Sequence, residues 1–221
     1  LIPRVHGWIL APTYALANQV WRELNTFMPK EWSLHVDENE KAMYTVDGGI
    51  IEVKSTSTPE NLVSVGLDIV LWTEAARSKP DDKMREAWSN IFTRLQSPGR
   101  GPGGNGGHIL INSSPTPDLG FYHELYIMAL NDPKHWGVFH WRTIDNPYIT
   151  QEQEDQAKKM LTQAQFEMEW LGEFPEQGGE LFANLDQICV LKKEDPIPDK
   201  RYFAGWDPAA PHGEDDSIVI I

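Results

Sequence analysis

The chain is short of several things, and each shortage narrows what it can be. It has one cysteine, Cys189, in 221 residues, so no internal disulfide can form, and such usage fits a reducing compartment. Its longest apolar runs, around Ile69–Trp72 and Ile109–Ile111, fall far short of the ~20 residues a membrane-spanning helix needs. No basic, apolar and small-residue leader opens it. Positive charge is scarce: 19 Lys and Arg stand against 33 Asp and Glu, a net charge of −14. That balance counts against a protein that grips nucleic-acid phosphates with a broad basic face, although Arg94, Arg100, Lys134, His135 and Arg142 could gather into a small patch. The G-x-x-x-x-G-K-S/T loop that cradles nucleotide phosphates is missing. The seven histidines are dispersed without metal-ligand spacing, no Gly-x-Ser-x-Gly elbow occurs, and no internal repeat is visible. What remains is a soluble globular protein expected in the cytoplasm, with no membrane partner and, at 40% hydrophobic residues, ample material for a core.

What is present is an alternation of strand and helix. Gly7–Pro12 is a short apolar run and Thr13 can cap the helix that follows, whose apolar residues Ala17, Val20, Leu24 and Phe27–Met28 recur at helical spacing until Pro29. From Ser33 to Ser57 the pattern shortens, with Asp47-Gly48-Gly49 marking a hairpin turn. Leu67–Trp72 is nearly unbroken apolar sequence and reads as a strand buried on both faces. A helix is predicted over 83–96, followed by a glycine-rich connector, Gly99–Gly107, and a further strand at His108–Asn112. Thr150 with Gln153 and Thr162 with Gln165 match the spacing of reciprocal helix caps. The segment 175–199 reads as a connecting stretch, and Arg201–Ile221 as two strands around a polar turn. The fold class is α/β. Trp8, Trp21, Trp72 and Trp170 fall on expected core faces, and packing is the expected role of His135 and His140.

Three places carry polar chemistry at strand ends. Ile69–Trp72 runs straight into Thr73-Glu74; a carboxylate at the carboxyl end of a strand in an open α/β sheet projects into the ligand crevice, where it can deprotonate a water attacking a γ-phosphate. An ordinary strand end with a surface glutamate fits the same residues, and taken alone fits them better. Ile109–Asn112 ends in Ser113-Ser114-Pro115, hydroxyls that can bond to a phosphate or simply form a turn. Asp207 closes the apolar run Phe203–Trp206, and Glu214-Asp215-Asp216 precedes the run Ile218–Ile221. A hairpin would bring Asp207 near Asp215 and Asp216, giving either a two-metal site or a solvated acidic turn; the residues by themselves do not choose.

In order and spacing these pieces resemble the large subunit of the DNA-packaging terminase of tailed phages and prophages. Gly7–Tyr14 resembles the strand and turn that follow its phosphate-binding helix, and Pro59–Leu62 the loop before its Walker B strand. Asp68–Ala76 resembles that strand with its catalytic glutamate, and Ser113-Ser114-Pro115 with Gly120-Phe121-Tyr122 its coupling motif. Phe166–Phe174 is similar to the segment leading from ATPase to nuclease. The resemblance implies an internal piece of that subunit: a P-loop, ASCE-type ATPase core lacking its first strand and Walker A loop, then the start of an RNase H-like nuclease. It divides the chain into a partial ATPase domain over 1–131, a helical subdomain and linker over 132–199, and the opening of the nuclease over 200–221. Glu74 becomes the general base, Thr73, Ser113 and Ser114 the nucleotide-facing residues, and Asp207, Asp215 and the weaker Asp216 the nuclease metal ligands. ATP and Mg²⁺ (or Mn²⁺) are implied, as are double-stranded DNA, the small terminase subunit, the portal of the procapsid, and homo-oligomerisation during packaging.

The chain departs from that pattern in ways that matter. Thr73 stands where the family's aspartate would hold the Mg²⁺ shell, and Val63 where relatives commonly carry arginine. With the phosphate loop expected before residue 1 and further acidic residues after residue 221, the piece by itself is expected to be inactive. Two other readings stay open: another P-loop nucleic-acid translocase, which would need no second acidic site at Asp207 and Asp215, and a non-enzymatic prophage remnant or assembly protein, favoured by Thr73, the missing loop and the acidic charge.

Overall fold

The computed structural model describes residues 4–63 and 65–174, and the backbone of two further short strands, 205–207 and 218–220. The chain forms two compact units, Leu1–Gly179 and Glu180–Ile221.

The first unit is built on a six-stranded sheet in the order β2-β3-β4-β1-β5-β6. Its strands are β1 (His6–Ala11), β2 (Ser33–Asp37), β3 (Ala42–Thr45), β4 (Ile50–Ser55), β5 (Ile69–Thr73) and β6 (His108–Asn112). β4, β1, β5 and β6 run parallel, while β2 and β3 join as an antiparallel meander. The turn expected at Asp47-Gly48-Gly49 links β3 to β4. Gly48 adopts φ 82° there, a left-handed backbone that glycine enters without steric cost. Helices α1 (Tyr14–Phe27), α2 (Asp81–Leu95), α3 (Phe121–Asn131) and α4 (Gln151–Met160) complete the unit with the short α5 (Gln163–Phe166).

Two clusters fill the core, one on each face of the sheet. α2 and α3 cover Trp8 and Leu10 of β1 and Val70 and Trp72 of β5. On the opposite face α1 covers Ala11, Met43 and Val53 through Ala17 and Trp21. Thr13 caps α1, its hydroxyl accepting from the Leu16 N–H at 3.3 Å. Val20, Leu24 and Met28 pack inward, whereas Phe27 is 81% exposed, because one residue before Met28 lies about 100° round the helix from the packed stripe.

β5 differs from the expectation of burial on both faces. Val70 and Trp72 are fully buried, but Ile69 is 50% exposed, and Leu110 of β6 is 56% exposed. The register pairs Leu71 with Leu110 and Ile69 with His108, so these residues share the α1 face, but α1 packs towards β1, β4 and β3, on the other side of β1 from β5. Among the described residues no helix covers that face of β5 and β6.

The glycine tract also differs from a free connector. Asp68, at the entrance to β5, accepts the Gly101 N–H at 2.8 Å and the Arg100 guanidinium at 3.2 Å, and the Gly107 N–H reaches Leu95 O at 2.7 Å. A Cβ on Gly101 would come within 1.7 Å of Gly106 O, so the closed loop requires glycine there.

Both expected capping boxes form: Thr150 with Gln153 starts α4, and Thr162 with Gln165 starts α5. Trp8, Trp21 and Trp72 are core residues, while Trp170 is half-buried and stacks on Phe166. His135 and His140 do not pack as expected; both are exposed. His135 bonds to Asp132 and His140 to the Leu171 carbonyl, since short loops offered them backbone and carboxylate partners rather than apolar cover.

In the second unit, β7 (Gly205–Asp207) and β8 (Ile218–Ile220) pair antiparallel, with Asp207 opposite Ile218.

Candidate active site at the carboxyl edge of the sheet

Ligands of open α/β sheets bind beyond the carboxyl ends of the parallel strands, at points where neighbouring connections leave to opposite faces. Here β1 leads into α1 on one face and β5 leads towards α2 on the other. The space beyond the ends of β1 and β5 is therefore such a point, and Glu74 directly follows β5 there.

Glu74 carries an unusual backbone. Its φ is 52° and ψ 39° at the head of the 3₁₀ turn Ala75–Arg77, a left-handed conformation uncommon for a residue with a Cβ and found preferentially at functional positions. The turn is held from below by a buried hydroxyl cluster. Ser78 Oγ accepts from Trp72 Nε1 at 3.2 Å and shares a 2.9 Å hydrogen bond with Thr56 Oγ1. Ser55 Oγ bonds to the Pro12 carbonyl at 3.4 Å, so the ends of β4, β1 and β5 are laced together. Above, the Glu74 carboxylate receives Arg77 Nε at 3.0 Å on Oε2. Arg77 also reaches Glu169 Oε1 at 3.4 Å through Nη2.

β6 ends beside this turn, with Thr73 opposite Asn112 in register. Ser113 follows; its Oγ is buried and has no hydrogen-bond partner among the described residues, a rare condition for a polar atom and one that calls for a reason. The Ser113 carbonyl accepts from the Tyr122 hydroxyl at 3.3 Å. Burial, with the field of the Glu74 carboxylate added, pushes the Tyr122 phenol above its ordinary value. Tyr122 is set by the start of α3, where Asp81 of α2 accepts the Phe121 N–H at 3.0 Å. Gly120 leaves room for that carboxylate: a Cβ there would lie 2.4 Å from Asp81 Oδ2. Phe174 then packs on Tyr122 and Tyr126 at ring separations of 5.8 and 4.9 Å.

The structure thus brings Thr73, Glu74, Ser113 and Ser114 to one edge of the sheet. Asp215, Asp216 and the side chain of Asp207 lie outside the described residues. Sequence reading missed Arg77 and Glu169. The first could have been found from its spacing, since a cation three residues beyond a carboxylate on a helical turn faces it; the second had no local signal. Of the basic residues that could form a patch, Arg100, His135 and Arg142 each engage a neighbouring carboxylate, Asp68, Asp132 and Asp145.

The donor set does not hold a divalent metal unaided. Glu74 is already bonded to Arg77, Thr73 is neutral, and among the described residues no three His, Cys, Asp or Glu side chains cluster as metal ligands would. Among the same residues no helix is long and apolar enough to cross a membrane.

Fold and site together define an α/β protein with a mixed six-stranded sheet, in which a carboxylate, Glu74, directly follows the strand beside β6. No family profile matches the chain. It is 24% identical over 215 residues to the terminase large subunit of Escherichia phage T5, covering 95% of this chain and 45% of that protein. Its fold is similar to the ATPase domain of the Thermus phage P74-26 large terminase, with a TM-score of 0.61 at 20% identity, covering 79% of this chain and 78% of that one. It is also similar to the large terminase of a thermophilic bacteriophage in complex with ADP, with a TM-score of 0.58 at 14% identity over 77% of this chain and 40% of the other. The chain resembles the terminase large subunit, then, and spans 45% of the length of its T5 relative.

Proposed function

We propose that this chain is the central part of a DNA-packaging terminase large subunit, in which Glu74 is the general base for ATP hydrolysis. The observation that carries this reading is the position of Glu74 directly after β5, with Ser113 directly after the paired β6, in a fold similar to large-terminase ATPase domains. In the proposed step a water oxygen bonds to the γ-phosphorus, the bond from that phosphorus to the ADP oxygen breaks, and Glu74 takes the water proton. The unpartnered Ser113 hydroxyl is the group available to a phosphate oxygen. Thr73 is neutral, and among the described residues no cluster of carboxylates stands ready to anchor Mg²⁺.

The same geometry supports a position for the phosphate loop. The connection from β1 to β4 steps one way along the sheet with α1 on one face; that from β5 to β6 steps the other way with α2 on the opposite face. One hand of crossover requires this pairing of direction and face. A strand added at the outer edge of β6 and leading back to β1 would step in the first direction. Its helix would then cover the α1 face of β5 and β6, where Ile69 and Leu110 are exposed. The loop between that strand and helix would lie beside Ser113, and we assign the phosphate-binding segment there, outside this chain.

The three-part division at 131 and 199, the nuclease beginning at the β7–β8 pair with Asp207, Asp215 and Asp216 as metal ligands, and the partnership with DNA, small subunit and portal belong to the same proposal. The test is ATP hydrolysis by the full-length protein. Glu74→Gln should lower kcat by about 10³-fold or more if it is the base, and equal turnover in the variant would remove the assignment. Metal-dependent DNA cleavage that survives Asp207→Ala would likewise remove the nuclease site. Thr73 favours one second reading, a remnant that assembles without hydrolysis; a full-length protein with no ATPase activity would support it.

A further inference from the structure

We propose that Arg77 is a positioning residue for Glu74, with Glu169 as its second anchor. The inference rests on the reading of Glu74 as general base and extends it to a residue that acts through the Glu74 carboxylate.

The backbone that carries Arg77 is fixed. Its N–H donates to the Glu74 carbonyl at 2.9 Å and the Ser78 N–H to the Ala75 carbonyl at 2.9 Å, while the Ser78 hydroxyl is buried against Thr56 and Trp72. From that turn the guanidinium folds back over Glu74. It grips one carboxylate oxygen, Oε2, at 3.0 Å, which leaves Oε1 and its lone pairs free to accept a proton from water. The planar fork of arginine can serve two carboxylates at once, and the 3.4 Å contact to Glu169 fixes the end that Glu74 does not.

Glu169 is itself held in place. It lies in the π-helical turn Glu167–Leu171, a rare geometry frequent at functional positions. Its carbonyl accepts from the Thr143 hydroxyl at 3.0 Å, and its neighbours Phe166 and Met168 are buried. The carboxylate that steadies Arg77 therefore comes from the segment leading out of the first unit's described residues.

Stability does not explain the arrangement. The Arg77, Glu74 and Glu169 side chains are 51%, 38% and 49% exposed, and ion pairs so open to water contribute little to folding. A guanidinium shared between the strand-end carboxylate Glu74 and Glu169 is accounted for by orientation.

The test uses steady-state ATP hydrolysis by the full-length protein, with melting temperature as the folding control. Arg77→Gln should lower kcat by about tenfold while KM for ATP stays within about twofold. Arg77→Lys should recover part of that loss, because it restores the charge without the fork. Glu169→Gln should lower kcat by about threefold, and the Arg77→Gln, Glu169→Gln double variant should be no slower than Arg77→Gln, since both changes act through one contact. Unchanged kcat in Arg77→Gln alongside an inactive Glu74→Gln overturns the role of Arg77 alone. A raised KM with unchanged kcat overturns it too, because Arg77 would then bind substrate. A Glu74→Gln variant as active as the parent overturns the base assignment and this inference together.

Discussion

The two faces of the sheet finish differently, and the difference says where the molecule is self-sufficient. On the α2 face, Trp8, Leu10, Val70 and Trp72 lie under α2 and α3. Where those helices stop, the sheet closes its own apolar edge. Trp8 Nε1 donates to Glu52 at 2.7 Å, Lys54 lies 5.3 Å above the Trp8 ring, and His6 bonds to the same carboxylate at 2.6 Å. On the α1 face, cover ends after β1 and no comparable cluster follows among the described residues; Ile69 and Leu110 stand 50% and 56% exposed. Single exposed apolar residues are ordinary, but neighbours across paired strands form a patch that calls for a partner.

The largest effect that separates the faces is Trp72→Ala. Trp72 is fully buried and its indole also supports Ser78 beneath the Glu74 turn, so the substitution removes a large core side chain and one hydrogen bond. Chemical denaturation of this chain should show a loss of about 3–5 kcal/mol. A loss below about 1 kcal/mol would mean that the α2 face is not the organising core.

How far the sequence foretold this follows the range of the forces involved. Local signals were legible: the Thr13 cap, the Gly48 turn, the capping boxes at Thr150 and Thr162, and the parallel β5 and β6 all form. Glu74 at a strand end was legible because apolar periodicity stops abruptly at Thr73. What depends on non-local contacts was not. The half-exposure of β5 follows from which helices cover which strands, and an unbroken apolar run gives no sign of a missing cover. The pinning of the glycine tract by Asp68 links residues 33 apart, and the Arg77–Glu169 contact spans 92. Neither separation leaves a pattern in the chain.

A smaller effect should appear at the polar end of the α2 face. Burial pushes the Glu52 carboxyl up, but hydrogen bonds from His6, Lys54 and Trp8 outweigh it and hold the group at about 2. A depressed folded-state value favours the native state above the unfolded value of about 4.3. That contribution fades as pH falls towards about 2. Glu52→Gln should therefore cost on the order of 1–2 kcal/mol near neutral pH, with part of it screened by solvent, and only about 0.4 kcal/mol or less at pH 2. Denaturation midpoints of parent and variant should converge across that window. Curves that stay parallel would show that Glu52 acts through shape and not charge, and the contrast between a self-closed face and an open one would weaken.

The smallest effect is the most informative about the open face. Leu110→Ala in this chain should shift stability by no more than about 0.5 kcal/mol, as expected for an exposed position. In the full-length protein, where the proposed helix would lie over β5 and β6, the same substitution should cost about 2–3 kcal/mol, because it would then open a cavity. The paired measurement separates two accounts of one patch. A cost that appears only in the longer protein means that another segment covers Leu110. A small cost in both means that the face stays open, and the strand–helix addition beside β6 is wrong. A large cost in the 221-residue chain alone would mean that its own remaining residues already cover the patch, and the phosphate-binding segment would need another place.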